Sequence, residues 1–372
     1  GKTKSIQSWG HDTGADTVKD ISKLEADLKN KKNVMYPPQF RSENKIQIHQ
    51  LLNIPLEKVE KKSSVKLINA IIKQRSIKSD EEINQIKDAL QITNLIHLKS
   101  MTATQPGRYE YEIVAEMEKI IKDHSVELAY PIIFTKNGQI LHNSIYNNKI
   151  EQNNLLLNDS GANSKLHYAS DITRTFPANG NFSSKQKEIY LIVKEMQEAV
   201  LKELKPGVNF KDMHKLSAYI GVKGLKELGL LKGSTKDAVD AGVYGLFYPH
   251  GLGHMLGLDV HDMESLGEDL VGYDKESKRE VEFGISFLRL GKKLEKGFCI
   301  TVEPGIYFIP ELFYQWKKEN KHSNFINYDK FEKYLDFGGI RIEDNILITD
   351  NQSENLSDFI IKEVDDIESM MN

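Results

Sequence analysis

A single cysteine, Cys299, stands among 372 residues. One thiol can neither close an internal disulfide nor supply a cysteine metal cluster. The expectation is therefore a reducing, cytoplasmic setting, with any metal held by oxygen and imidazole. No apolar run approaches the roughly 18 residues that a transmembrane helix needs. The N-terminal GKTKSIQSWGHD carries no hydrophobic stretch after its lysines, so neither a membrane span nor a signal peptide is expected. Long basic blocks are also missing: Lys+Arg 50 against Asp+Glu 54 leaves a net charge of −4. That balance argues against nucleic acid as a main partner. What the chain does have is 39% hydrophobic and 28% charged residues. This describes a globular protein able to bury a core, of a length that suits one large domain plus a smaller one.

The first 75 or so residues alternate helical and short extended patterns. Val18, Ile21, Leu24 and Leu28 recur at helical spacing, NVMYPP reads as a short strand stopped by Pro37-Pro38, and Val65, Ile68, Ile71 and Ile72 share a helix face. These pieces are few for an independent domain. Ser79-Asp80-Glu81-Glu82 is a capping box opening a helix through Ile83, Ile86, Leu90 and Met101; a second helix runs through Ile113, Met117 and Ile120. From Ala129 the pattern turns to strands: YPIIF, QILHN, NLLLND and YASDITRTF. Ser183 to Gln186 repeats the capping box, another helix follows from about Lys211 to Leu228, and FCITVEP and GIRIEDNILIT read as late strands. Helix pairs followed by strands, twice over, predict an α+β fold with an antiparallel sheet.

Four segments place acids or histidines where a plain core strand would not. In LLLNDSGANSKLHYASDITRTF, Asp159 ends one apolar run and Asp171 sits inside a second. Strands joined through the Gly161 region would bring the two carboxylates together, an arrangement that repels unless a divalent cation reverses the sign. Two separate turn aspartates are the plainer alternative. In YPHGLGHMLGLDVHDM, His250 and His254 are four apart, yet Gly251 stands where a zincin needs glutamate, so that motif is excluded. Three histidines within this stretch, His261 being the third, still point to a site. Glu303 ends the apolar run of FCITVEPGIYF before a Pro-Gly turn, and Arg341 and Glu343 alternate with isoleucines in GIRIED. A solvated ion pair on a sheet surface explains that last segment equally well. Together, four carboxylates and a histidine match the charge of two divalent cations sharing a water. Oxygen and imidazole ligation without thiolate suits Mn(II), Co(II) or Zn(II).

The combination DSGA…YASDITRTFP, HGLGHMLGLDVHD, TVEPGIY and GIRIED, in that order, resembles the M24 metallopeptidases of pita-bread fold, and among them the Xaa-Pro aminopeptidases (aminopeptidase P). The likeness runs from about Ser76 to Thr349. It implies a pita-bread catalytic domain over 76–372. Residues 1–75 look like the later part of a creatinase-type N-terminal domain whose beginning is not in the sequence. By position, the resemblance makes Asp159 the carboxylate on one metal, Asp171 and Glu343 the bridging pair, and His254 and Glu303 the ligands completing the other. It gives Glu303 the proton of the attacking water, and places His142, His250 and His261 against the substrate. Arg341 and Tyr307 fall in a hydrogen-bond relay beside the metals.

The resemblance therefore implies hydrolysis of the bond between an N-terminal residue and a following proline. It implies two divalent ions, Mn(II) foremost with Co(II) or Zn(II) as alternatives, and a homodimer. Proline's missing N–H and fixed φ suit a pocket that requires no donor there. A prolidase, which takes only the Xaa-Pro dipeptide, is the alternative. A non-catalytic pita-bread module that binds peptide or protein is the third reading, although such relatives lose ligands that this sequence keeps.

Overall fold

The computed structural model describes residues 5–372, apart from Asn30 and Lys32. The chain separates into two compact units, Gly1–Lys73 and Gln74–Asn372. The first holds α1 (Ile6–Thr13), α2 (Leu24–Lys29), α3 (Ser42–Leu52) and most of α4 (Val65–Ser76). Tyr36 is buried there and donates its hydroxyl to the carbonyl of Val59 at 2.8 Å. The helix expected from Val18 begins later, as a 3₁₀ turn over Ile21–Lys23 that runs into α2. NVMYPP forms no strand and joins no ladder; its two prolines offer no N–H to a neighbouring strand.

In the second unit, α5 (Asp80–Ala103) and α6 (Glu110–Asp123) precede β1 (Ile133–Thr135), β2 (Leu155–Ser160) and β3 (Ile172–Pro177). Then α7 (Ser184–Glu203) and α8 (Phe210–Glu227) precede α9 (Thr235–Asp240), α10 (Glu268–Gly272), β4 (Cys299–Val302), β5 (Gly305–Tyr307), α11 (Pro310–Lys318), α12 (Tyr328–Phe331), β6 (Gly339–Arg341) and β7 (Asp344–Ile348). The chain closes with β8 (Ser353–Asn355) and α13 (Val364–Met371). Both serine boxes form as reciprocal bonds: Ser79 with Glu82 starts α5, and Ser183 with Gln186 starts α7. Each satisfies first-turn N–H groups that the helix cannot.

All strand pairs are antiparallel, in the orders β1-β2-β3, β4-β7-β8 and β5-β6. Ile83, Ile86 and Leu90 of α5 pack against Ile172, Leu256, Cys299 and Ile360. This core lies directly beneath the strand ends that carry the acids. Cys299 is fully buried in it, and burial pushes its thiol up to about 12. From the next helix layer, the buried Gln197 of α7 donates to the carbonyls of Val302 and Ile342 and ties their strands together.

Two expected strands differ. QILHN is a turn, closed by the bond from Ile140 N to Asn137 O at 2.9 Å. Gly138 packs there on the backbone of Gly339, where a Cβ would meet a carbonyl at 2.5 Å. GIRIEDNILIT is two strands. Its first part pairs with β5, with Gly305 opposite Arg341, and its second with β4, with Val302 opposite Asp344. The opposing chain breaks at the same level, at Glu303-Pro304, where proline has no N–H to continue the ladder. Glu303 and Glu343 thus face each other at the two points where a strand pair crosses from one sheet to another.

Candidate metal centre and catalytic cavity

Asp159 is the penultimate residue of β2, paired with Thr173 of β3, and Asp171 immediately precedes β3. The Gly161 backbone lies so close to Ser170 that a Cβ would meet its carbonyl at 1.9 Å; only glycine lets the ends of this hairpin close and bring the two acids together. Asn345 fixes Asp171 from both sides, its amide oxygen accepting from Asp171 N at 3.1 Å and its NH₂ donating to Asp171 O at 2.5 Å. The 252–256 segment adds to β4 through Thr301 N to His254 O (3.0 Å), Glu303 N to Leu252 O (2.9 Å) and Leu256 N to Cys299 O (2.9 Å). Gly253 permits this, since a Cβ there would meet Thr301 O at 2.1 Å. Finally, Glu343 N donates to Thr173 O at 3.1 Å, which draws the break between β6 and β7 onto β3.

The side chains converge. Ligand atoms of Asp171, His254 and Glu343 lie within 4.8 Å of one another, and all three residues are buried. His254 Nε2 is 3.3 Å from Asp171 and 3.5 Å from Glu303. Its Nδ1 lies 3.0 Å from the carbonyl of Met255, so Nδ1–H donates there and the Nε2 lone pair faces the acids. Asp159 accepts from Arg341 at 2.5 Å and from the Tyr130 hydroxyl at 2.6 Å, and the same hydroxyl reaches Asp171. Thr173 donates to Glu343 at 2.7 Å and accepts from Arg341 Nε at 3.1 Å. Arg341 and Glu343 are thus buried in the site rather than paired on a solvated sheet face.

Charge explains the pKa directions. Burial, then Asp171, Glu303 and Asp159, push Glu343 well above the carboxylate range. Burial, and the neighbouring Asp171 and Asp159, raise Glu303 to about 8 although Arg341 opposes them. Asp159 and Asp171 are raised, first by burial. Burial lowers His254 to about 4 and keeps it neutral at pH 7. Glu343 Oε1 is buried with no hydrogen-bond partner, an expensive arrangement for a carboxylate without a cation. Repelling buried acids, one oxygen left over and an imidazole lone pair aimed among them fit divalent metal ions held by oxygen and nitrogen.

Beside the acids, Arg341 donates to Tyr307 at 2.8 Å, and Tyr307 donates to His250 Nε2 at 2.8 Å. His250 Nδ1 is committed to the carbonyl of Gly251, and burial depresses the ring to about 3. His261 packs edge-on against His254 with centroids 4.4 Å apart. His142, an exposed residue, lines the same cavity from the turn that replaces its expected strand. All the residues singled out from the sequence, except Tyr307 behind its wall, line one cavity of about 940 Å³.

The sequence reading missed several supports. Tyr130 looked like part of an apolar strand. Thr173, Asn345 and Asp262 carried no signal; Asp262 is buried beside His261 against Lys78 at 3.0 Å and also pairs with Arg75. Arg174 did carry one, a cation in mid-strand. Its guanidinium is wholly buried and donates to Asp344, to Glu343 O and Thr173 O, and to the carbonyls of Ile360 and Ile361.

Residues 84–350 match metallopeptidase family M24, and the chain belongs to that family. It is 35% identical over 309 residues to a probable Xaa-Pro aminopeptidase of Botryotinia fuckeliana (strain B05.10), covering 82% of this chain and 65% of that protein. It is 37% identical over 301 residues to the Xaa-Pro aminopeptidase of Haemophilus influenzae (strain ATCC 51907 / DSM 11121 / KW20 / Rd), covering 80% and 61%. The chain thus spans less than two thirds of either relative. Among solved structures it is similar to Pseudomonas aeruginosa aminopeptidase PepP (TM-score 0.80, 29% identity, 98% of this chain and 77% of that one). It is also similar to an Escherichia coli aminopeptidase P variant in complex with substrate (TM-score 0.81, 28% identity, 100% and 78%). The mixed α/β architecture with its antiparallel strands is that of the pita-bread fold.

Proposed function

We propose that the chain is a divalent-metal aminopeptidase that releases an N-terminal residue from a following proline. The observation that carries this reading is the convergence of Asp159, Asp171, Glu303, Glu343 and His254, with Glu343 Oε1 unpartnered, in the cavity that also holds His250 and His261. Asp171 and Glu343 would be shared by two ions, with Asp159 on one and His254 and Glu303 on the other. When bound, divalent ions lower the pKa of water toward neutrality and polarise a carbonyl. We assign Mn(II) as the working metal.

The chain's own residues do the rest. Glu303 accepts the proton of the attacking water and passes it to the leaving nitrogen; a carboxylate at the break between β4 and β5 is free to face both. Burial keeps His254 neutral, and the bond from its Nδ1–H to Met255 O turns the Nε2 lone pair toward the acids. The fixed order Arg341, Tyr307, His250 sets the His250 ring against the proline side, and His142 and His261 steady the reacting carbonyl from the open side. Arg341 also holds Asp159, so the relay and the acid cluster share one guanidinium. The lone buried thiol accords with a cytoplasmic setting. A cavity of about 940 Å³, near the upper end of the roughly 300–1,000 Å³ of small-ligand sites, favours peptides over the dipeptide of a prolidase.

The test is mass spectrometry of products from the Mn(II)-loaded chain given Xaa-Pro-Yaa, Xaa-Pro and Xaa-Ala-Yaa, with Asp159→Asn as control. Release of the first residue from the proline tripeptide, lost in the control, is the expected result. Cleavage of the dipeptide alone would make the chain a prolidase. With metal content verified, no cleavage at all would sink the enzymatic reading.

A further inference from the structure

Next to His250 the cavity wall changes character. Gly251 lies against the backbone of residues 287–288, where a Cβ would meet Leu288 Cα at 2.7 Å and Phe287 O at 2.9 Å. That contact brings the 283–288 segment alongside His250. Phe283, Phe287, Ile309 and Leu312 line the cavity there. Phe287 is 54% exposed and Phe283 39%, high values for large aromatics set in a concave wall.

This shelf is built rather than loose. Ile285–Phe287 form a 3₁₀ turn, and Arg279 Nη1 donates to Ser286 O and Leu288 O, both at 2.9 Å. Phe283 stands edge-on to Phe287 at 5.9 Å and to the buried Trp316 of α11 at 6.3 Å. The first turn of α11 supplies Leu312 and also Glu311, a carboxylate on the same wall.

We infer that the shelf formed by Phe283, Phe287, Ile309 and Leu312 is a subsite for an apolar side chain on the residue that follows proline in the peptide. The inference rests on the function proposed above. With proline against His250, the chain continues along the adjacent wall, which presents these four apolar side chains. Rigid, half-exposed aromatics gain by being covered, with little ordering cost, because the turn that presents them is already braced. Arg279, which also lines the cavity, is engaged by Glu268 and Asp269, so the unshared Glu311 disfavours an acidic residue at this place.

The experiment compares Ala-Pro-Leu-Gly, Ala-Pro-Gly-Gly and Ala-Pro-Asp-Gly on the Mn(II)-loaded full chain, following release of alanine. The leucine peptide is expected to exceed the glycine peptide in kcat/KM by about tenfold, carried mainly in KM, with the aspartate peptide lowest. Phe287→Ala collapses the leucine-over-glycine ratio toward one, and Phe287→Leu restores most of it. A second readout needs no turnover: in a Trp9→Phe background, the leucine peptide shifts the emission of Trp316 and the glycine peptide does so less. Hydrolysis at equal rates whatever the third residue overturns the subsite and leaves the enzyme reading intact. Equal loss on all three peptides in Phe287→Ala overturns it as well. If no proline peptide is hydrolysed, the reading of the preceding subsection falls and takes this one with it.

Discussion

Glu343 and Asp344 are neighbours at the start of one strand, both buried, and their surroundings could hardly differ more. Asp344 meets Arg174 at 2.8 Å and Asn355 at 2.9 Å, and pairs with Lys362. Burial raises it, but the two cations outweigh burial and hold it at about 2. Glu343, the residue just before β7, faces the opposite way, as successive residues of an extended chain do. There burial, and with it three other acids, pushes it far upward. One side of the strand has its charges balanced by the chain itself. The other has a surplus of negative charge that only something outside the chain can neutralise. The first arrangement is scaffold and the second is a site, and the difference lies in the charge count rather than in burial.

The largest break in that comparison is Arg174→Met. It strands Asp344 without its main partner and frees four backbone carbonyls, so a loss of about 3–5 kcal/mol is expected in urea unfolding of the metal-free chain. Glu343→Gln, one residue from the pair, should leave the metal-free chain as stable or more so, because it removes a repelling charge. Equal losses in the two variants would erase the distinction. A smaller effect is expected from Thr173→Val, which keeps the side chain's shape but removes the bond to Glu343 and the acceptor for Arg341. Mn(II) affinity in calorimetry should fall roughly 10–100-fold, and an unchanged affinity would show that Thr173 only fills space.

The least dramatic test is the pH profile of the metal-free chain. Glu303 is raised from 4.5 to about 8, so between those values the folded state holds a proton that the unfolded chain has released. Its contribution is complete below pH 4.5 and disappears as pH rises through about 8. Melting temperature should therefore decline across that window after chelation, and added Mn(II) should remove or reverse the decline. A metal-free profile rising from pH 5 to 8 would show that other groups dominate.

Much of the candidate site was legible because Asp159, Asp171 and Glu303 interrupt apolar runs; a turn explains one such acid, whereas several of them together with three histidines point to a site. The helices were legible where serine boxes mark their starts. What escaped were partners brought in by topology. Asn345 reaches Asp171 and Thr173 reaches Glu343 across some 170 residues, and no local period encodes such a pair. The expected single strand through Arg341 and Glu343 failed for a related reason. Alternation predicts which residues share a face, but not that a strand changes sheets midway, and here that change aims Glu343 at the acids. The short apolar run in QILHN reads as a strand carrying His142, whereas Gly138 and the backbone of Gly339 make it a turn.

Cys299 has a practical consequence. Thiol reagents act on the thiolate, and this sulfur is fully buried, with its ionisation pushed to about 12. Towards alkylating probes and mild oxidants the folded chain behaves as though it contained no cysteine. Any cysteine introduced on its surface, on the shelf beside His250 for example, becomes a unique attachment point for a fluorophore or spin label without first mutating the native one away.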